Sequence, residues 1–134
     1  GEFVTKAETS DNTYTSSVSI IIDVLISLST VLEDEKYTHF AFKTMEYNSY
    51  ELGRKPIYFP YMLTQVLRYL KGERIIKSSA KNLHDNKQAL SKIEYPFVQY
   101  KTSEDESFMI CGEKSCFANT SDVNEINQHI SNSF

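Results

Sequence analysis

Apolar positions along this chain fall into stretches with different spacing, and the spacing predicts the elements. From Ser16 onward, Val18, Ile21, Ile22, Leu25, Leu28 and Leu32 keep the i, i+3, i+4, i+7 rhythm of a helix, while Ile20, Val24 and Val31 form a second stripe. Two stripes predict a first long helix buried over more than half its circumference, ended by the acidic Glu33-Asp34-Glu35. Tyr37 to Tyr47 then alternates as a strand, with Phe40 and Phe42 on one face and Ala41 and Met45 on the other. Asn48 to Lys55, with Gly53, reads as a turn, and Ile57, Tyr58 and Phe59 as a short second strand. Pro60 suits the first turn of a helix, where its missing N–H costs nothing. That helix is predicted to turn Leu63, Val66, Leu67 and Leu70 inward and to stop at Gly72.

Glu73 to Ser78, holding Ile75 and Ile76, reads as a strand. Asp85-Asn-Lys-Gln88 resembles a capping box that opens a short helix through Leu90 and Ile93. Tyr95 to Lys101, Ser107 to Cys111 and Cys116 to Asn119 are predicted to form a meander, with Thr102 to Glu106 as an acidic turn. Asp122 to Glu125 starts the last helix, whose inward face is Val123, Ile126 and Ile130. Helices interspersed with antiparallel hairpins predict an α+β class: a long N-terminal helix packed with further helices on a mainly antiparallel sheet, closed by a C-terminal disulfide hairpin. The domain is expected over 16–134, after a polar, flexible leader over 4–15 and a cloning remnant, Gly1-Glu2-Phe3.

Composition narrows the function classes. The 134 residues are 40% hydrophobic and 24% charged, enough apolar material for a core and no sign of wholesale disorder. Only 4 glycines occur, and Gly53, Gly72 and Gly112 stand far apart, so no glycine-rich loop cradles a phosphate. The formal charge of −4 is spread along the chain without clustered Lys or Arg, which argues against a nucleic-acid partner. The longest apolar stretch, Val18 to Ile26, contains Asp23 and falls well short of the roughly 20 residues a membrane span needs. With the remnant joined directly to Val4, the expectation is the soluble part of a larger protein whose upstream anchor or signal was removed; an intracellular protein trimmed of its Met is the competing reading.

Cys111 and Cys116 flank Gly112-Glu113-Lys114-Ser115, a turn of hairpin length, so the two thiols are expected to face each other and bond. Such a bond would stiffen the hairpin by about 2 kcal/mol or somewhat less. Zinc would need a second ligand pair, and His39, His84 and His129 are scattered; a redox pair more typically has Cys-x-x-Cys spacing; two buried free thiols compete. A disulfide favours an oxidising compartment.

Catalytic signatures are missing. There is no Gly-x-Ser-x-Gly, and the acidic runs Glu33-Asp34-Glu35 and Glu104-Asp105-Glu106 sit at predicted turns or helix ends, where charges usually face water. Neither run has the spacing of an EF-hand calcium loop. No cofactor and no metal are expected, and an enzyme, such as a small secreted hydrolase, is the minority reading. His39, on a predicted strand beside Phe40, is a candidate pH sensor if partly buried, against the commoner reading of a plain structural histidine. Tyrosine points most clearly to recognition: Tyr47, Tyr50 and Tyr61 are candidate partner-binding residues around one turn, and Tyr58 is expected in the core. The triplet Asn119-Thr120-Ser121 fits a glycosylation sequon, a pattern readily met by chance.

A removed anchor, a first long helix, an antiparallel sheet and the cysteine loop 111–116 together resemble two families. One is the type IV pilin-like subunits, from which the four residues enclosed here depart, since pilin loops are longer. The other comprises the small periplasmic accessory domains that accompany ToxR-like membrane regulators, such as the Psa and Myf regulator pairs that control fimbriae. That resemblance covers general organisation and the paired cysteines. It implies a non-enzymatic periplasmic domain, held to the inner membrane by the removed segment, that binds another protein, a membrane-anchored sensor or regulator, and stabilises or tunes it in a virulence setting.

Overall fold

The computed structural model describes Ser10, Asp11 and Ser16–Phe134. The cloning remnant and most of the polar leader lie outside the described residues. The class is α+β, the described residues forming six α-helices, a four-stranded mixed sheet and a disulfide near the C-terminus. The chain divides into two compact units, one running up to Lys71 and the other Gly72–Phe134.

The first unit is helical. Helix α1, Ser17–Leu32, starts where the Ser16 hydroxyl accepts from Ser19 N, and ends at Glu33, whose left-handed backbone (φ 54°) lets the cap N–H reach the Ser29 carbonyl. Helix α2 runs Glu35–Arg54, with Asp34 as its N-cap accepting from Lys36 N. This corrects the expected strand over Tyr37 to Tyr47 and the expected turn after it. The apparent alternation was accidental: Ala41 and Met45, four apart, form the buried stripe. Phe40 and Phe42, placed together by a strand, point to different sides of the helix. Phe42 stacks on Tyr69 with ring centroids 5.6 Å apart, whereas Phe40 is exposed.

The expected strand at Ile57–Phe59 is instead a 3₁₀ turn over Pro56–Tyr58, where two prolines close together leave no room for a ladder. Helix α3, Pro60–Lys71, begins at Pro60, and Gly72 follows it at φ +73° as expected. Its inward face differs from the leucine stripe read from sequence. Met62, Gln65 and Arg68 are buried, Val66 and Tyr69 partly so, and Leu67 and Leu70 face out. The core of this unit is Val18, Ile22 and Ile26 of α1, Ala41 and Met45 of α2, and Phe59 and Met62 around the start of α3.

The second unit is built on strands β1 (Arg74–Ser78), β2 (Val98–Thr102), β3 (Phe108–Cys111) and β4 (Cys116–Thr120) in the order β2-β1-β3-β4. The predicted meander is therefore corrected. β1 lies between β2 and β3, parallel to β2 and antiparallel to β3, and β3 pairs antiparallel with β4. The parallel pair needs a crossover. It holds helices α4, Ala80–Asp85, capped by Ser79, and α5, Lys87–Leu90. Asp85 closes α4 rather than opening a helix, so the capping box read there does not form.

Ile76 and Ile110 face each other at the centre of the sheet and are fully buried, together with Phe108, Leu90 and, from helix α6 (Ile126–Ser131), Ile126 and Ile130. Asp122 accepts from Asn124 N to start the 3₁₀ turn that leads into α6. Glu125 does not complete a box with it. Its carboxylate accepts from Thr120 Oγ1 at 2.6 Å.

Candidate interaction surface

Helix α1 has two apolar faces and uses one. Val18, Ile22 and Ile26 enter the core with Leu25 beside them, but Ile20, Val24 and Val31 remain 48%, 49% and 56% exposed. These three lie on one side of the helix at i, i+4 and i+11, and Ile21 and Leu28 border them. The expected burial over more than half the circumference is thus not met among the described residues. What remains is a ridge of β-branched side chains, whose restricted χ1 angles make it a stiff surface.

Polar anchors fix the rotation of α1 about its axis and hence where that ridge points. Asp23, the one charge in the apolar stretch, meets Arg68 of α3, whose Nη1 lies 2.5 Å from Asp23 Oδ1. Arg68 Nη2 donates to Ser27 Oγ at 2.9 Å, and Tyr61 Oη donates to Asp23 Oδ2 at 2.6 Å. The Asp23 carboxylate that accepts this proton, with burial second, raises the Tyr61 hydroxyl pKa above its ordinary value. Arg68 is nearly buried, so the pair is worth more than a surface bridge.

Asp11 is the second anchor. Its carboxylate, buried, accepts from Tyr61 N at 3.1 Å and Met62 N at 3.0 Å, the free amides of the first turn of α3, and from Ser16 N at 2.8 Å. Burial alone would raise its pKa. The amide bonds from Ser16 and Met62, with the Ser19 and Ser16 hydroxyls, outweigh burial and hold it below the usual carboxylate value. Sequence reasoning missed this cap because Asp11 is some fifty residues from the amides it binds.

The tyrosine candidates separate. Tyr47 and Tyr50 stand on the outer side of α2 at 91% and 70% exposure, three residues apart, with the Arg54 guanidinium 5.4 Å from the Tyr50 ring. Phe40, two turns before Tyr47 on that side, extends the aromatic row. Tyr61 is half-buried with its hydroxyl committed to Asp23, and Tyr58 is half-exposed where core was expected. His39 is exposed on α2, without the partial burial that the pH-sensing reading required.

Cys111 and Cys116 are bonded to each other and oppose one another in the register of β3 and β4, across a turn closed by Gly112 N donating to the Ser115 carbonyl at 2.9 Å. A disulfide is consistent with an oxidising compartment. Among the described residues no group of three or more His, Cys, Asp or Glu side chains is placed to hold a metal ion, and no helix is long and apolar enough to cross a membrane. Comparison with protein-family models, with curated proteins and with solved structures finds no match for this chain.

Proposed function

We propose that this chain is a non-enzymatic interaction domain that works in an extracytoplasmic, oxidising compartment and binds another protein through the exposed apolar side of α1. One observation carries the reading: Ile20, Val24 and Val31, stiff aliphatic residues aligned along one side of a helix, are left about half exposed. Exposed apolar ridges of this kind mark contact sites more often than plain surface. The exposed aromatic row of Phe40, Tyr47 and Tyr50 supplies the ring types that dominate binding energy at interfaces.

The occupant is a partner with an apolar helix or strand of its own, a membrane-anchored sensor or regulator in the periplasm. The organisational resemblance to accessory domains of ToxR-like regulators supports that choice. Binding only the folded partner would stabilise it by mass action, by about 2.7 kcal/mol at a hundredfold excess over Kd. No catalytic role is part of the reading, and no cofactor is required by it.

The test is a titration of this chain against the extracytoplasmic part of a candidate membrane-anchored regulator, with Val24→Asp as the comparison. Saturable 1:1 binding that Val24→Asp weakens at least tenfold, with helical content unchanged, is the expected result. Equal binding by the variant would place the contact elsewhere. If the chain instead forms dimers that Val24→Asp dissolves, the ridge is covered by a second copy and the partner reading fails.

A further inference from the structure

The second unit holds a concavity that the interaction reading does not use. A cavity of about 460 Å³ lies at the end of the sheet where β1 starts, between the disulfide-closed turn and the end of α6. Arg74, Lys114 and His129 line it, with Phe117, Asn132 and Ser133, and no carboxylate does.

Arg74 is the unusual element. It is the first residue of β1, on the same side of the strand as the buried Ile76, and is only 9% exposed. The rings of Phe134, Tyr95 and Phe117 stand 4.8, 5.3 and 5.7 Å from its guanidinium carbon. Ring faces hold a cation but accept few of its N–H groups. Nη1 donates to the Glu73 carbonyl at 3.2 Å and Nη2 to Ser133 Oγ at 3.3 Å, both long bonds, while the buried Nε has no acceptor among the described residues.

Nearby acids are turned to other groups. Glu73 accepts from Gln99 Nε2 at 2.9 Å, and Glu125 from Thr120 Oγ1, with His129 Nε2 3.9 Å from the same carboxylate oxygen. Glu113 Oε1 and Arg74 Nη1 both lie against the flank of Gly72. A guanidinium with so little water and so few acceptors is poised for an anion.

We infer that this cavity binds a small organic carboxylate with an apolar body. The planar fork of Arg74 matches a carboxylate, Lys114 and His129 add cationic or hydrogen-bonding groups beside the Nη1/Nη2 edge, since the buried Nε is out of a ligand's reach, and the Phe117 ring and Ala118 offer an apolar wall. The volume exceeds what an inorganic anion fills. The chain's acidity disfavours polyanions.

Phenylacetate titrated into the whole chain tests this, followed by amide chemical shifts of Gly112, Phe117 and Ser133. Saturable shifts at these sites, with none from the neutral phenylacetamide, are expected. Sulfate should bind at least about tenfold more weakly, since it leaves the apolar wall unfilled. Lys114 is an exposed turn residue, so Lys114→Gln tests the charge without disturbing the core, and it should weaken phenylacetate about threefold. Arg74→Lys keeps the charge and loses the fork, and should weaken it more than about tenfold in a chain whose sheet spectrum is retained. Equal response to the amide, equal affinity for sulfate, or no saturation with the wild-type chain would overturn the assignment.

Discussion

Replacing Asp23 by alanine should cost the helical unit about 3 kcal/mol. Three groups on other turns depend on this carboxylate: Arg68 Nη1 at 2.5 Å, the Tyr61 hydroxyl at 2.6 Å and, through Arg68, the Ser27 hydroxyl at 2.9 Å. A hydrogen bond to a charged group contributes about 1.5–3 kcal/mol, and removing one partner of a wholly buried ion pair costs about 3–5 kcal/mol. Asp23 is one-third exposed, so water replaces part of what Arg68 loses, and Gln65 Oε1 stays within 3.3 Å of Nη1. The Tyr61 hydroxyl, left without its acceptor, adds about 1 kcal/mol. Native-state hydrogen exchange at the amides of α1 and α3 measures the loss where it occurs. The double variant Asp23→Ala/Tyr61→Phe separates the terms. Tyr61→Phe should cost about 1 kcal/mol in the wild-type chain and nothing once Asp23 is gone. A cost below about 0.5 kcal/mol for Asp23→Ala, or two costs that simply add, would refute the network as the element that fixes α1 on α3.

Asp11 gives the unit an acid limb. Its folded pKa is depressed, so its stabilisation is fully present above the ordinary carboxylate value and is lost as pH falls through the folded one; Asp11→Asn should flatten the fall in helix stability over that acid range, read by circular dichroism. Glu33→Gly should stabilise by about 0.5–1 kcal/mol in denaturant titration, because glycine adopts φ 54° without a Cβ penalty. Opening the Cys111–Cys116 bond with reductant should cost the second unit about 2 kcal/mol, a small value because the closed loop is short, and should loosen the turn that carries Lys114, weakening phenylacetate. A denaturation midpoint unmoved by reductant would show that the hairpin holds without its staple.

Local signals were legible in the sequence where one residue type decides the backbone. Pro60 and Gly72 bracket α3, the acidic run ends α1, and the cysteine spacing set the hairpin that the register later paired. Tyr37 to Tyr47 was misread because aromatic and β-branched residues raise strand propensity while Asp34, the cap that commits the segment to a helix, lay just outside the window. Strand order was beyond reach for another reason. β1 pairs with strands on both sides through backbone groups, which carry no sequence signature, so sequence order suggests a meander where the sheet has a crossover.

The two sites divide in the same way. The α1 ridge was visible as a second stripe, but whether a stripe is buried depends on how many helices arrive to cover it, and α2 and α3 cover only one side. The Arg74 cavity left no trace. The rings around Arg74 come from positions 95, 117 and 134, brought together by the parallel crossover, the hairpin and the chain end. A lone arginine at the start of an apolar strand is the single local hint, since a cation entering a core face needs something to face.

The central claim is that the exposed side of α1 is where a partner binds. Methyl-resolved spectra of the chain, recorded with and without the extracytoplasmic part of a candidate membrane-anchored regulator, show whether it does. On binding, the Ile20, Val24 and Val31 methyls should shift or broaden while those of the buried Ile22 and Ile26 change far less. Perturbations that spare these three methyls, or a complex that forms unchanged with Val24→Asp, would contradict it.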